Sequence, residues 1–153
     1  MHKGNDCIGL VVVSQITGQV VGKITDISFS PNLDRVNHLL VDDKNSNGVK
    51  LCQPLNISSL GRDAVLVNTK DLPSGAVGNE GEILLSKLKG LNIISSAGKE
   101  LGEVVDVLFK LPHCEIKALE ISEGFIGDIL IGRHSISKYA IQKISQDCIL
   151  VDF

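Results

Sequence analysis

Two acids invite a chemical reading because they recur. Asp26 stands in Val21-Gly22-Lys23-Ile24-Thr25-Asp26-Ile27, and Asp106 stands in Leu101-Gly102-Glu103-Val104-Val105-Asp106-Val107. Two carboxylates in one cleft, with separated pKa values, are what general acid–base catalysis needs. Each of these acids, however, occupies the same place in its own segment, and nothing in the spacing brings them together. Our reading is structural: each carboxylate accepts backbone N–H groups at a bend in a strand. Asp63 and Asp147, each just ahead of a short aliphatic run, suit turns in the same way. His113-Cys114 is the one adjacent His/Cys pair. A nucleophilic thiol needs a base aimed at it and a lowered pKa, and neighbours on a strand point to opposite faces, so the pair makes a poor dyad. His38 has no histidine at the matching place in the other segment, where Ala118 stands, and His134 reads as a surface residue.

Two further patterns fail on their chemistry. Gly18-Gln19-Val20-Val21-Gly22-Lys23 looks like a phosphate loop, but the glycine spacing is one residue short and Ile24 stands where a hydroxyl would meet magnesium. In the other segment Glu103 replaces Lys23 and would repel phosphate. Cys7, Cys52, Cys114 and Cys148 are scattered without a close pair, unlike the paired ligands of a zinc site. With no export signal in view, the expectation is reduced thiols in a cytoplasm, acting as small hydrophobes. No catalytic, cofactor-binding or metal-ligating residue emerges.

The acids belong to a larger repeat. A shift of 80 positions carries Gly18, Gly22, Asp26 and Phe29 onto Gly98, Gly102, Asp106 and Phe109, and Val36, Leu39 and Val41 onto Ile116, Leu119 and Ile121. Toward the end of each copy the shift grows to 84, so that Asp63-Ala64-Val65-Leu66-Val67 meets Asp147-Cys148-Ile149-Leu150-Val151. An insertion in the second copy, between Ile121 and Tyr139, accounts for the difference. The expected organisation is a first unit over 1–69, a Gly- and Pro-bearing linker over 70–81, and a second unit over 82–153.

Short Val/Ile/Leu runs punctuated by Gly, Asn and Asp favour strands. The first unit predicts strands near 9–14, 20–29, 35–42, 49–52 and 64–68, and the second near 90–95, 100–109, 115–121, 128–132 and 148–152. Gly18 and Gly98 sit at hairpin turns that need positive φ, and Asn45-Ser46-Asn47-Gly48 marks another reversal. Ile24 and Val104 are out of phase with the apolar face of the long second strand, so that strand must bend, with Gly22 and Gly102 at the crowded place. Apolar residues three apart in 55–60 and 139–144 predict a short helical turn before the last strand. The fold class expected is all-β: two tandem small, partly open β-barrels.

Composition narrows the function classes. Lys and Arg number 15 against 18 Asp and Glu, a formal charge of −3, which argues against a general nucleic-acid binder. With four Phe, one Tyr and no Trp there is no base-stacking platform. The apolar runs are too short to span a bilayer. Phe125, in Glu123-Gly124-Phe125-Ile126-Gly127-Asp128, lies in the inserted stretch; the reading preferred is a hairpin whose apolar residues cover a barrel opening or the other barrel, and as the alternative Phe125 is the candidate partner contact.

The run Gly-(Gln/Lys)-x-(Val/Leu)-Gly-(Lys/Glu)-(Ile/Val)-x-Asp-(Ile/Val), with Ile8-Gly9-Leu10-Val11-Val12 and Leu88-Lys89-Gly90-Leu91-Asn92-Ile93 ahead of it and the two closing runs after it, resembles the PRC-barrel family. That family includes a cytoplasmic domain of photosynthetic reaction centres and the C-terminal domain of the ribosome-maturation factor RimM. The resemblance implies a docking barrel and transfers no catalytic residues. It makes Gly18, Gly22, Asp26, Gly98, Gly102 and Asp106 family-motif positions that serve structure. The function expected is a non-enzymatic adaptor that binds another cytoplasmic protein or assembly without a cofactor. A ribosome- or RNA-associated factor is the alternative, a small-ligand protein or enzyme stands behind both, and homo-oligomerisation is left open.

Overall fold

The computed structural model describes residues 1–43, 48–78, 81–122, 125–126, 129–130 and 132–152; for 125, 126, 129, 130 and 133 it describes the backbone alone. The reversal expected at 45–47 lies outside the described residues.

The first sheet is built from β2 (Val11–Ser14), β3 (Val20–Phe29), β4 (Val36–Asp42), β5 (Val49–Cys52), β6 (Ile57–Leu60) and β7 (Ala64–Val67), after a short β1 (His2–Lys3) and a one-turn helix α1 (Gly4–Cys7). β8 (Ile83–Leu84) and α2 (Leu85–Leu88) open the second stretch. Then follow β9 (Asn92–Ser95), β10 (Glu100–Lys110), β11 (Glu115–Ser122), a small hairpin of β12 (Phe125–Ile126) and β13 (Ile129–Leu130), β14 (Arg133–Ser137), β15 (Ile141–Ile144) and β16 (Cys148–Val151). The two sheets have the same order, β5-β4-β3-β2-β7-β6 and β14-β11-β10-β9-β16-β15. Both contain a parallel pair, Val12 opposite Val65 and Ile93 opposite Ile149. The fold is all-β with two open sheets, as the strand-rich pattern predicts.

Apolar residues alternate along these strands and meet in one continuous core. Val12, Ile24, Ile27, Phe29, Leu39 and Val41 of the first sheet, and Ile93, Val104, Val107, Phe109, Leu119 and Ile121 of the second, belong to a single buried cluster. The out-of-phase Ile24 and Val104 have a mechanical cause. Ile24 faces Val41 and Asp26 faces Leu40, so two steps on β3 match one on β4, and the same bulge lies between Val104 and Asp106. One extra residue brings Ile24 and Ile27 to the same side, and each is at most 1% exposed. The expected bend is therefore a β-bulge repeated in both sheets.

Three expectations need correction. The helical turn before the last strand is confined to 3-10 turns at Pro54–Asn56 and Lys138–Ala140; the residues after them form β6 and β15. A register shift between Ile57 and Ser59 lets Ile57 and Leu60, three apart, share a face of an extended strand. The strand expected at 128–132 is instead half of the β12–β13 hairpin inside the insertion, and the sheet edge is Arg133–Ser137. Part of the stretch 70–81 is packed rather than free: Leu72 is buried, Leu51 N donates to Pro73 O at 2.8 Å, and Gly75 N donates to Val49 O at 3.1 Å.

The arms of the molecule cross over. β1, at the start of the chain, pairs with the far end of β10, His2 opposite Phe109 and Lys3 opposite Leu108. β8 returns the contact, with Ile83 opposite Phe29 and Leu84 opposite Ser28. Each long strand thus has two neighbours on one side: its own hairpin partner along its first part and the other stretch's arm along its last.

Candidate functional site: the junction of the two sheets

The crossed arms place the recurring acids. Asp106 Oδ1 accepts from Val107 N at 2.8 Å and from Asn5 N at 2.9 Å, while Asn5 Nδ2 donates to Val105 O at 2.9 Å. Asp26 Oδ1 accepts from Ile27 N at 2.8 Å and Ser86 N at 3.2 Å, and Oδ2 accepts from the Ser86 hydroxyl at 2.5 Å. Each carboxylate therefore satisfies its own bulged strand and the first turn of the short helix that arrives from the other side. They act as clasps between the two stretches.

The clasps differ electrostatically. Asp106 is 2% exposed and faces Glu120 across the ladder. Burial pushes its carboxyl above the ordinary range, with Glu120 and Asp6 adding to the rise. Lys3 Nζ lies 3.1 Å from Glu120 Oε2 and brings a compensating charge on the crossed arm. Asp26 is only half-buried and faces Leu40.

The motif glycines serve geometry. Gly18 and Gly98 have φ of 73° and 78° in the hairpin turns. Gly22 and Gly102 occupy one position for different reasons. A Cβ on Gly22 would come within 2.4 Å of Asp42 O and 2.7 Å of Val41 Cγ1, whereas Gly102 has φ 145°. Phe125 falls on β12, with its side chain outside the described residues.

The hairpin ends of the two sheets meet face to face. Arg35 and Glu115 form an isolated antiparallel bridge; Val36 N donates to Cys114 O and Ile116 N to Asp34 O, both at 2.9 Å. Arg35 and Glu115 are 80 positions apart, so equivalent places touch each other, which is the geometry of an approximate two-fold axis. Each turn leading in holds a buried residue with positive φ, one place out of register with the other: Leu33 at 54° and Cys114 at 56°. Cys114 thus lies in a turn rather than a strand. Its thiol is pushed up to about 11 by burial, while His113 beside it is exposed. Cys7 and Cys52 are buried and pushed up to about 12, also mainly by burial, which leaves the thiols protonated and unreactive.

An open cleft of about 880 Å³ beside this junction is lined by Arg35, His38, Leu55, Glu82, His113 and Glu115, among others. His38 Nδ1 is 3.4 Å from Ser28 Oγ and 3.5 Å from Glu82 Oε1, and Asn37 Nδ2 donates to Glu82 Oε1 at 2.9 Å. This is not a nucleophilic relay: both partners meet the same ring nitrogen, and Ser28 is 0% exposed. Among the described residues no group of three or more His, Cys, Asp or Glu is placed to hold a metal ion.

Leu55 and Tyr139, at 81% and 86%, are the most exposed large apolar side chains among the described residues. Each is the middle residue of a 3-10 turn, and they stand 84 positions apart, so they are equivalent in the repeat. Sequence reasoning saw these turns but not their exposure. It also missed the crossed arms, although Gly9 and Gly90 both turn with φ of 89° just after them.

Two open sheets of matching order, joined about an approximate two-fold axis, define a small all-β scaffold whose recurring polar residues hold it together. Residues 80–153 match the PRC-barrel domain. No curated protein matches the chain. No helix among the described residues is long and apolar enough to cross a membrane.

Proposed function

We propose that this chain is a non-enzymatic adaptor made of two PRC-barrel units, 1–69 and 82–153 with 70–81 between them, that docks onto another cytoplasmic protein or assembly. The match over 80–153 and the identical strand order of the first sheet support the tandem reading. The observation that carries the docking reading is the pair of equivalent, outward-facing apolar residues Leu55 and Tyr139 beside the junction. Apolar side chains held out at matching places suit recognition better than catalysis, and the recurring acids are engaged in holding the fold. Native pull-down with quantitative mass spectrometry tests it. A Leu55→Ser/Tyr139→Ser double variant should lose specific partners at least tenfold, roughly the loss of two contacts of about 1 kcal/mol each, with an unchanged unfolding midpoint. An unchanged partner list would overturn the docking reading.

A further inference from the structure

The two sheet edges are treated differently by the chain. On the first sheet, the outer edge of β5 is covered by residues 71–75, which run antiparallel to it: Lys50 bridges Ser74, Leu51 N donates to Pro73 O, and Gly75 N donates to Val49 O. The covering segment brings Leu72, which is 5% exposed, and Asp71, whose Oδ1 lies 2.7 Å from Lys50 Nζ. Asp43 Oδ2 is 2.9 Å from the same ammonium.

β14 holds the same place in the second sheet. Val41 faces Lys50 and Leu40 faces Leu51; in the second sheet Ile121 faces His134 and Glu120 faces Ser135. The register therefore turns the peptide N–H of Ser135 and the carbonyl of Arg133 outward, as it does for Leu51 and Val49. Among the described residues no strand pairs with this outer edge. Its sequence, Arg133-His134-Ser135-Ile136-Ser137-Lys138, carries basic residues and no acid, and Lys138 Nζ at its end is ion-paired with Asp34 Oδ1 of the first sheet's turn.

We infer that the outer edge of β14 is a docking strand for an extended, antiparallel segment of a partner protein that carries an acidic residue next to an aliphatic one, the chemistry of Asp71-Leu72-Pro73 on the equivalent edge. Strand addition supplies main-chain hydrogen bonds as the affinity and the flanking charges as the selectivity. This deepens the docking reading and rests on it.

The probe is an end-blocked peptide with the sequence of residues 69–77, Thr-Lys-Asp-Leu-Pro-Ser-Gly-Ala-Val, titrated into the isotope-labelled full chain. Saturable amide shifts centred on 133–137 are expected. Ser135→Pro removes only an outward N–H, and it should weaken binding roughly tenfold through the lost edge hydrogen bond and the blocked approach. Because proline can still disturb the strand, Ser135→Asp, at an exposed side chain, is the second variant. It should weaken binding several-fold by charge repulsion, and an Asp-to-Lys change in the peptide should do the same. Shifts centred on 49–52 instead, absence of shifts at millimolar peptide, or wild-type binding by both variants would overturn the proposal. Sedimentation showing a wild-type dimer that Ser135→Asp dissolves would assign the edge to a second copy and overturn the acidic partner. Partners retained by Ser135→Asp but lost from the Leu55→Ser/Tyr139→Ser variant would sink the edge and leave the docking reading standing.

Discussion

Asp106 shows how one side chain both holds and strains the fold. Its acceptor oxygen is needed by two N–H groups, yet its charge is buried opposite Glu120. Because the folded pKa is raised, this group favours the fold while protonated, and that contribution is lost as pH climbs from the ordinary carboxylate range through the raised value. Asp106→Asn keeps an acceptor oxygen and removes the charge. Its unfolding midpoint should exceed wild type at pH 8 and converge with it near pH 4. Asp106→Ala strands both donors and should lose roughly 3 kcal/mol at either pH in chemical denaturation. The cysteines offer a second check at this scale. Cys7, Cys52 and Cys114 are buried and Cys148 is partly accessible, so a thiol reagent at pH 8 should titrate one fast group in the native protein and all four after denaturation. That Asp26 and Asp106 accept backbone N–H groups at the bend was legible from their repetition. That they grip the other stretch was not, because the partners Asn5 and Ser86 lie about 100 and 60 residues away in sequence.

At the scale of elements, the bulged strand is the device repeated most faithfully. Gly22 lies where β3 crowds β4, and Gly22→Ala must move Asp42's carbonyl or Val41. Circular dichroism melts should show a loss of about 1–3 kcal/mol. The strands were readable because alternation and glycine placement are local signals, and the bulge announced itself through the phase slip at Ile24 and Val104. Other elements misled for equally physical reasons. The aliphatic run Ile129-Leu130-Ile131 outweighs the polar Arg133–Ser137 in any reading of hydrophobicity, although the latter is the strand that extends the sheet. A three-residue apolar spacing at Ile57 and Leu60 reads as helical unless a bulge is anticipated. β1 and β8 are two residues each, too short to carry a pattern, and their partners are fixed by tertiary contact alone.

At the scale of the molecule, the shared core and crossed arms should make the chain unfold as one body. Calorimetry of the full chain should give a single transition, with van't Hoff and calorimetric enthalpies in agreement. Asp26→Ala and Asp106→Ala should each lower that one transition rather than split it. Two separable transitions would show that the arms contribute little. A double-mutant cycle between Asp26 and Ser86 should return a coupling of about 1 kcal/mol, locating part of that cooperativity in a contact that joins the first sheet to the arm of the second.

Crossing the arms also sets a schedule for synthesis. When residue 69 has left the peptidyl-transferase centre, β3 still lacks the neighbour it will receive from residues 83–88, so Phe29 waits on an unfinished flank. At ordinary translation speeds that wait lasts roughly one to four seconds. On a crowded polysome an arm from an adjacent nascent chain fits the same vacancy. Dense ribosome loading should therefore yield some interlinked multimers on size-exclusion chromatography, and sparser initiation at the same elongation speed should yield fewer.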